Sequence, residues 1–158
     1  MISSFPPFAY ADSEILILGT MPGAMSLLKQ EYYAHKQNQF WKIMFTIFSD
    51  GIIPEHFADK VALLQQNQIA LWDVLAHCER KGSLDIHIKN QIENDIPELL
   101  KQHPKIKIIV FNGKESYRYF IKKFGNIDSI EYHVMPSTSP ANTIKFEVKL
   151  KEWKAGLK

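Results

Sequence analysis

Short apolar runs alternate along the chain with longer segments whose apolar residues recur at helical spacing. The short runs predict four β-strands, over Ile15–Leu18, Ile69–Leu75, Ile106–Phe111 and Ile130–Met135. The longer segments predict five helices, over Asn38–Phe48, Pro54–Gln66, Ile88–Gln102, Gly113–Phe124 and Thr143–Leu157. Strands that alternate with helices are typical of βαβ units, so the pattern predicts an α/β fold with a mostly parallel four-stranded sheet.

Small and polar residues follow the predicted strands, at the sheet edge where parallel folds bind their ligands. They are the turn GTMPG (Gly19–Gly23), the pair Trp72-Asp73, the turn Asn112-Gly113-Lys114 and the segment PSTSPAN (Pro136–Asn142). Because the carboxyl ends of parallel strands meet at one edge, we expect these segments to line one rim. Asp73 is either a polar group of a pocket there or the cap of a helix or turn, and the cap is the favoured interpretation.

Composition narrows the class of protein and the kinds of site. The chain has 158 residues, 46% of them hydrophobic, which is typical of one folded domain spanning residues 1–158. The single cysteine, Cys78, excludes a disulfide framework, and the six histidines are scattered, so no metal site is predicted. The sequence contains neither a run of membrane-spanning length nor the features of a signal peptide, so we expect a cytoplasmic protein.

Charge and short motifs reduce the choice of ligands further. The net charge of +2 permits a polyanionic partner without requiring one, and the lysines of the last helix, among them Lys149, are interpreted as a solvated face. The motifs of a P-loop, a dinucleotide-binding turn and a serine-hydrolase elbow are absent. What remains at the rim is a site of backbone amides, asparagine amides, aromatic rings and hydroxyls. Such a site suits a ligand that is planar and polar, or one that carries phosphate.

Three segments taken together resemble a known family: GTMPG, the pair YYAH and NQFW (Tyr32–His35 and Asn38–Trp41), and PSTSPAN. With ALWDVL, GSLD and FNGK between them, they resemble the uracil-DNA glycosylase superfamily, most closely its hypoxanthine-DNA (deoxyinosine) glycosylase branch. The resemblance implies a three-layer α/β/α domain around a parallel sheet. It also implies an enzyme that flips a nucleotide out of double-stranded DNA and excises a deaminated base, above all hypoxanthine, without a cofactor. We expect a monomer.

The resemblance assigns a catalytic role to Asn38. Many superfamily members hold the attacking water with an Asn or Asp at the position of Met21, and a thioether cannot do this. In the deoxyinosine branch the asparagine of the N-x-F-W segment is implicated instead, and here that residue is Asn38. Its expected role is to orient the water and to stabilise positive charge on the sugar. Asn38 also stands where a helix N-cap belongs, and the two roles are compatible.

Four further residues are expected to bind the flipped base. Tyr33 matches the position of an aromatic ring that stacks on the base, although an ordinary packing role is the alternative. Met21 and Gly23 are expected to form an apolar wall that the base approaches closely. Asn112 offers a donor and an acceptor to the O6 and N1 edge of hypoxanthine, although Asn-Gly is also a frequent turn.

The remaining assignments concern DNA. Ser137, Thr138, Ser139, Asn142 and His35 are the expected contacts with the phosphate backbone. The last helix is expected to begin near Asn142 and to direct its positive end toward DNA. The leucine wedge that relatives carry in this loop has no counterpart in it.

Other functions stay open on the sequence alone, because a fold does not determine an activity. The same residues suit a mismatch uracil or thymine DNA glycosylase, a non-catalytic nucleic-acid-binding module, or a hydrolase of free nucleosides.

Overall fold

The structure is a computed structural model that describes residues 1–158. Its seven strands are β1 (Ile2–Ser3), β2 (Ile15–Gly19), β3 (Ile69–Asp73), β4 (Leu75–Glu79), β5 (Lys89–Glu93), β6 (Ile108–Asn112) and β7 (Glu131–Met135). Its six α-helices are α1 (Ala24–Lys29), α2 (Phe40–Phe48), α3 (Phe57–Gln66), α4 (Ile96–Gln102), α5 (Lys114–Phe124) and α6 (Phe146–Leu157). A single 3₁₀ turn covers Asp85–His87. None of the helices is long and apolar enough to cross a membrane.

The central sheet has the strand order β3-β2-β6-β7, and all four strands are parallel. In its middle, Leu16 pairs with Ala70 on one side and with Ile109 on the other. Strands covered on both faces need apolar residues at successive positions, which is why the central ones appear in the sequence as unbroken apolar runs. The predicted four-stranded parallel sheet is confirmed.

Successive residues of each central strand face opposite layers. Ile17 packs with α2, α3 and α6 in one apolar cluster, whereas Leu16 and Leu18 pack with α4 and α5 in the other. Each cluster therefore lies between the sheet and a layer of helices. This arrangement confirms the expected three-layer α/β/α architecture.

A second, three-stranded antiparallel sheet of order β1-β4-β5 was not predicted, and the helix predicted over Ile88–Gln102 is wrong. The first half of the segment predicted as a helix is β5. Ile92 in this strand is 51% exposed, so the isoleucine spacing does not mark one buried helix face. Only the second half of the segment is helical. A new helix begins there because the Asp95 carboxylate accepts a hydrogen bond from the Glu98 N–H, with Pro97 in the first turn. The predicted strand Ile69–Leu75 also divides, into β3 and the start of β4.

The last helix begins at Phe146, so the predicted start near Asn142 is wrong. The side chain of Asn142 holds the chain in a loop instead: its Nδ2 donates to the Ser137 carbonyl (3.0 Å) and its Oδ1 accepts from the Ile144 N–H (3.3 Å). Consequently the helix terminus does not lie within the segment Pro136–Asn142. The short helix α1 was also missed, because Leu28 is 78% exposed and only Ser26 is buried.

Candidate functional site

A cavity of about 730 Å³ opens at the carboxyl ends of the central strands. Its walls come from the GTMPG turn after β2, from the ends of β3 and β6, and from the segment Pro136–Asn142 after β7. The segment before α2 and the 3₁₀ turn between β4 and β5 complete the lining. The loops predicted to share one rim therefore do so.

All ten residues assigned to the site from the sequence line this cavity. They are Met21, Gly23, Tyr33, His35, Asn38, Asn112, Ser137, Thr138, Ser139 and Asn142. Their spatial convergence is a structural fact, whereas the role of each one stays a prediction.

The GTMPG turn is held from outside by the loop that follows β4. Arg80 Nη2 donates to the Pro22 carbonyl at 2.6 Å, and the Ser83 hydroxyl accepts from the Ala24 N–H at 2.9 Å. Met21 is 8% exposed and packs with the apolar cluster on the α4 and α5 side of the sheet. The turn therefore forms a fixed and partly apolar wall of the cavity.

Tyr33 packs one face of its ring on Phe40, with centroids 4.1 Å apart and planes inclined by 24°. Its φ is +54°, an uncommon backbone conformation for a bulky residue, so the neighbouring packing must hold it there. The hydroxyl is buried, lies close to Gly19 and makes no hydrogen bond of ordinary geometry, although the Asn112 side chain lies near enough to act on its pKa in the lowering direction. Burial raises the pKa of the Tyr33 phenol, which keeps it a neutral donor.

Asn38 lies two residues before α2, and its Oδ1 accepts a hydrogen bond from the Phe40 N–H at 2.9 Å. The prediction that Asn38 occupies the N-cap is wrong, because Gln39 holds the cap position, with no capping hydrogen bond from a side chain, and the Asn38 bond to the Phe40 N–H closes a turn just before the helix. Its Nδ2 donates to no group of the chain, so the NH₂ is free to meet a water or a substrate. Exposed His35 supports this turn, because its carbonyl accepts from the Asn38 N–H at 3.0 Å.

Asn112 ends β6, and its amide forms two hydrogen bonds with Thr138, which follows the neighbouring strand β7. Its Nδ2 donates to Thr138 Oγ1 at 3.0 Å, and its Oδ1 accepts from the Thr138 N–H at 3.0 Å. One N–H and one oxygen lone pair remain for a base. The Thr138 carbonyl in turn accepts from the Gln39 N–H at 3.0 Å, which connects this segment to α2.

Lys149 is a feature of the site that the sequence did not reveal. It is 2% exposed, and its ammonium donates to the Asn142 carbonyl at 2.8 Å. Burial lowers the pKa of this ammonium. The interpretation of Lys149 as part of a solvated face is therefore wrong. Trp153 Nε1 donates to the Pro136 carbonyl at 2.9 Å, so α6 holds both ends of the segment Pro136–Asn142.

Asp73 lies at the floor of the cavity, 3% exposed, and its Oδ2 has no hydrogen-bond partner. The interpretation of Asp73 as a cap is wrong, because its carboxyl caps neither a helix nor a turn. Burial, and then the nearby charge of Asp85, raise the pKa of this carboxyl to about 7, against the smaller opposite effect of Arg80. The sequence did hold a signal, since Asp73 ends a parallel strand at the rim where ligands bind.

No group of three or more His, Cys, Asp or Glu side chains is arranged to hold a metal ion. The polar groups that meet in the cavity are amides, hydroxyls and the one carboxyl of Asp73, together with half-buried Asp85 and Glu115 at the wall. These groups can bind a planar base through its edge and direct a water molecule to a bond beside it.

The chain matches the family model for the uracil DNA glycosylase superfamily over residues 6–156. It belongs to this superfamily. The chain is also 32% identical over 156 residues to a hypoxanthine DNA glycosylase of Methanosarcina barkeri, covering 98% of this chain and 96% of that protein. A hypoxanthine DNA glycosylase of Methanosarcina acetivorans is 33% identical over 153 residues, covering 96% and 94%.

The solution NMR structure of a candidate uracil DNA glycosylase from Methanosarcina acetivorans has the same fold. It superposes with a TM-score of 0.82 at 32% identity, over 98% of this chain and 95% of that one. Membership of the uracil DNA glycosylase superfamily confirms the resemblance drawn from GTMPG, YYAH with NQFW, and PSTSPAN. GTMPG and the pair YYAH and NQFW lie within Gly19–Trp41, whereas PSTSPAN begins only at Pro136, yet residues of all three line one cavity in the fold.

Proposed function

We propose that the protein is a DNA glycosylase that removes hypoxanthine from deoxyinosine in double-stranded DNA. The observation that carries the proposal is the cavity in which an aromatic ring, two asparagine side chains and the hydroxyl-rich segment Ser137–Asn142 meet. The names of the two Methanosarcina relatives support hypoxanthine as the base.

The size and depth of the cavity suit a flipped nucleotide. Pockets for small molecules span roughly 300–1,000 Å³, and this one measures about 730 Å³. Because Asn112 and Thr138 are buried, a base must leave its stack to reach them. The Tyr33 ring, supported from one side by Phe40, is the proposed surface on which the flipped base stacks.

The reaction is hydrolysis of the bond between C1′ and N9. The electron pair of this bond leaves with the base and the sugar gains positive charge. A water oxygen then bonds to C1′, and the proton that this water loses neutralises the charge left on the base. The proposed role of Asn38 is to hold this water through its free Nδ2, while its Oδ1 stays bonded to the Phe40 N–H and fixes the rotamer. The apolar side chain of Met21 cannot bind this water, so we assign the water to Asn38.

DNA contacts are proposed for the outer rim. Ser137 and Ser139 are half-buried and carry hydroxyls, Asn142 is tied to the same loop, and exposed His35 also lines the cavity. Hydroxyls and amides at such positions hold phosphates without reading sequence. We also propose that the chain acts as a monomeric single domain, because one chain supplies every wall of the cavity.

The test uses duplex oligonucleotides that carry a single inosine, uracil, xanthine or mismatched thymine. Each duplex is incubated with excess protein, and abasic sites are then cleaved with alkali and quantified. We expect excision of hypoxanthine, and weaker binding as salt increases. A parallel incubation with free inosine measures hydrolysis of the nucleoside.

Four results would contradict the proposal. Uracil or thymine excision without hypoxanthine excision would indicate a mismatch glycosylase. Tight binding to inosine-containing duplex without base release would indicate a non-catalytic module. Activity on free inosine and none on DNA would indicate a nucleoside hydrolase. Finally, a protein that neither binds any of the duplexes nor excises a base from them would not be a DNA glycosylase.

A further inference from the structure

The floor of the cavity holds a carboxyl group whose position is fixed by its main chain. Asp73 pairs with Gly19 in the sheet, and the next N–H, that of Val74, donates to the Gly19 carbonyl at 2.8 Å. Asn94 Nδ2 donates to the Asp73 carbonyl at 2.8 Å. The backbone is therefore held from two sides, while the carboxyl Oδ2 is buried without a partner.

A second unpartnered group lies beside this carboxyl. A methyl group built on Gly19 would lie 2.5 Å from Asp73 Oδ1 and 2.8 Å from the Tyr33 hydroxyl oxygen, so both atoms cover the same glycine. The Tyr33 hydroxyl is likewise buried and unpaired. Buried polar groups in native proteins nearly always have partners. Two such groups together, at the floor of an open cavity, indicate that a ligand supplies the missing hydrogen bonds.

The charged surroundings favour the neutral form of Asp73. Asp85, from the 3₁₀ turn, repels a charge on Asp73, and burial raises the pKa of the Asp85 carboxyl as well. Arg80 acts in the opposite direction but forms no salt bridge with it: Nη2 and Nε donate to the carbonyls of Pro22 (2.6 Å) and Gly82 (2.8 Å), and Nη1 is buried without a hydrogen-bond partner. The other titratable neighbours are the phenols of Tyr33 and of Tyr32, whose pKa values burial raises.

We propose that Asp73 is a catalytic acid of the excision reaction, whose neutral carboxyl hydrogen-bonds the flipped purine and gives its proton to a ring nitrogen as the base departs. This inference rests on the proposed glycosylase function. It adds to that function a group that acts on the leaving base, opposite Asn38, which acts on the water. The pKa of about 7 leaves much of the carboxyl protonated at neutral pH.

The proton and electron balance is complete without any further reactant. The C1′–N9 bond breaks and its electron pair goes to the purine, while the Asp73 proton bonds to N7 or N3, so that neutral hypoxanthine leaves. A water oxygen then bonds to C1′ and its released proton returns to the Asp73 carboxylate. A group that transfers a proton in the transition state typically contributes 10²–10⁴-fold to the rate.

The first experiment measures the single-turnover excision of hypoxanthine against pH. The wild-type rate should decrease as the pH rises above about 7, because the acid is then deprotonated. Asp73→Asn should react about 10²-fold more slowly and lack this decrease. Asp85→Asn removes a like charge, so the decrease should move to lower pH. Asp12→Asn, on an exposed turn, is the matched control and should behave as wild type.

The second experiment identifies the nitrogen that receives the proton. Wild type and Asp73→Asn are compared on duplexes that carry 7-deaza or 3-deaza deoxyinosine, each of which lacks one acceptor. The ratio of the two rates should fall to about one on the analogue without the receiving nitrogen. A ratio unchanged on both analogues would overturn the proposal.

Two further results distinguish the inference from the proposed function. If wild type excises hypoxanthine and Asp73→Asn keeps the same rate and pH profile, the inference fails and the glycosylase function stands. Carboxyl ¹³C NMR, with Asp73→Asn to assign the signal, reports on protonation without any activity. A signal already ionised at pH 5 would overturn the proposal even for a protein that excises the base.

Discussion

Gly19 ends β2 beneath the two unpaired groups at the cavity floor, and replacing it with alanine tests how tightly that floor is built. The added Cβ would lie 2.5 Å from Asp73 Oδ1 and 2.8 Å from the Tyr33 hydroxyl oxygen. To reach ordinary contact at 3.4 Å, the two atoms must retreat by about 0.9 Å and about 0.6 Å. Neither side chain can do so freely, because Tyr33 is stacked on Phe40 and Asp73 is enclosed.

The displacement of these two atoms in Gly19→Ala predicts a change in the excision rate and a change in the free energy of unfolding. A misplacement of about 1 Å in an active site can lower a rate by about 10²-fold, so Gly19→Ala should lose excision on that scale. Overpacking a tight interior typically lowers the free energy of unfolding by about 1–3 kcal/mol. The loss of rate should therefore greatly exceed what partial unfolding at assay temperature produces.

The assay is single-turnover excision of hypoxanthine from a labelled duplex, with urea unfolding of the same preparations. Gly156→Ala is the matched control, because its Cβ would lie 2.7 Å from Met135 Sδ, a similar clash outside the cavity with a flexible thioether. We expect that variant to keep the wild-type rate. If Gly19→Ala also keeps it, the floor is not the surface that holds the base, and the roles assigned to Asp73 and Tyr33 lose their support.

Three other predictions use the same assays. Asn38→Ala should lower the excision rate by about 10²-fold or more and the free energy of unfolding by about 1 kcal/mol. Exposed Asn126→Ala is the control and should change neither quantity. Full activity in Asn38→Ala would leave Asn38 with a structural role alone. Because the carboxyl of Asp73 has a pKa raised from 3.8 to about 7, the folded protein binds its proton more tightly, and stability should decrease as pH rises through that window. Urea unfolding between pH 4 and pH 8 should show a slope that Asp73→Asn lacks, and equal slopes would refute the shift. Lys149→Met removes the donor to the Asn142 carbonyl, so it should raise the protein concentration needed for half-maximal excision and leave the saturating rate unchanged. A lower saturating rate at an unchanged half-maximal concentration would mean that Lys149 affects the chemical step and not DNA binding.

The central sheet and the rim were predictable because the central strands can be recognised from their own residues. Ile15–Leu18 and Ile106–Phe111 are apolar at nearly every position, as doubly covered strands must be, and each leads into a glycine-containing turn. In a parallel sheet those turns meet, so residues more than one hundred positions apart were expected to share one site. The family assignment followed from these turns and is confirmed.

The failures arise where neighbours in space decide the outcome. The segment Lys89–Glu93 is polar, and it becomes a strand because β4 offers it an edge. Lys149 belongs by its spacing to a charged helix face, but the loop around Asn142 covers it. The carboxyl of Asp73 was taken for a cap because its lack of a partner is visible only once Gly19 and Tyr33 lie beside it.

The segment Pro136–Asn142 is tied down from three elements before any DNA arrives. β6 holds it through the Asn112 amide, the residue that caps α2 through the Gln39 N–H, and α6 through Lys149 and Trp153. The conformational entropy of this loop is therefore lost during folding and not on association. The Thr138 N–H, bonded to Asn112 Oδ1, and the Asn142 N–H, bonded to the Ser139 carbonyl, should already be protected from hydrogen exchange in the free protein. The search for a lesion can then proceed by rapid sampling, without a disorder-to-order step at each encounter.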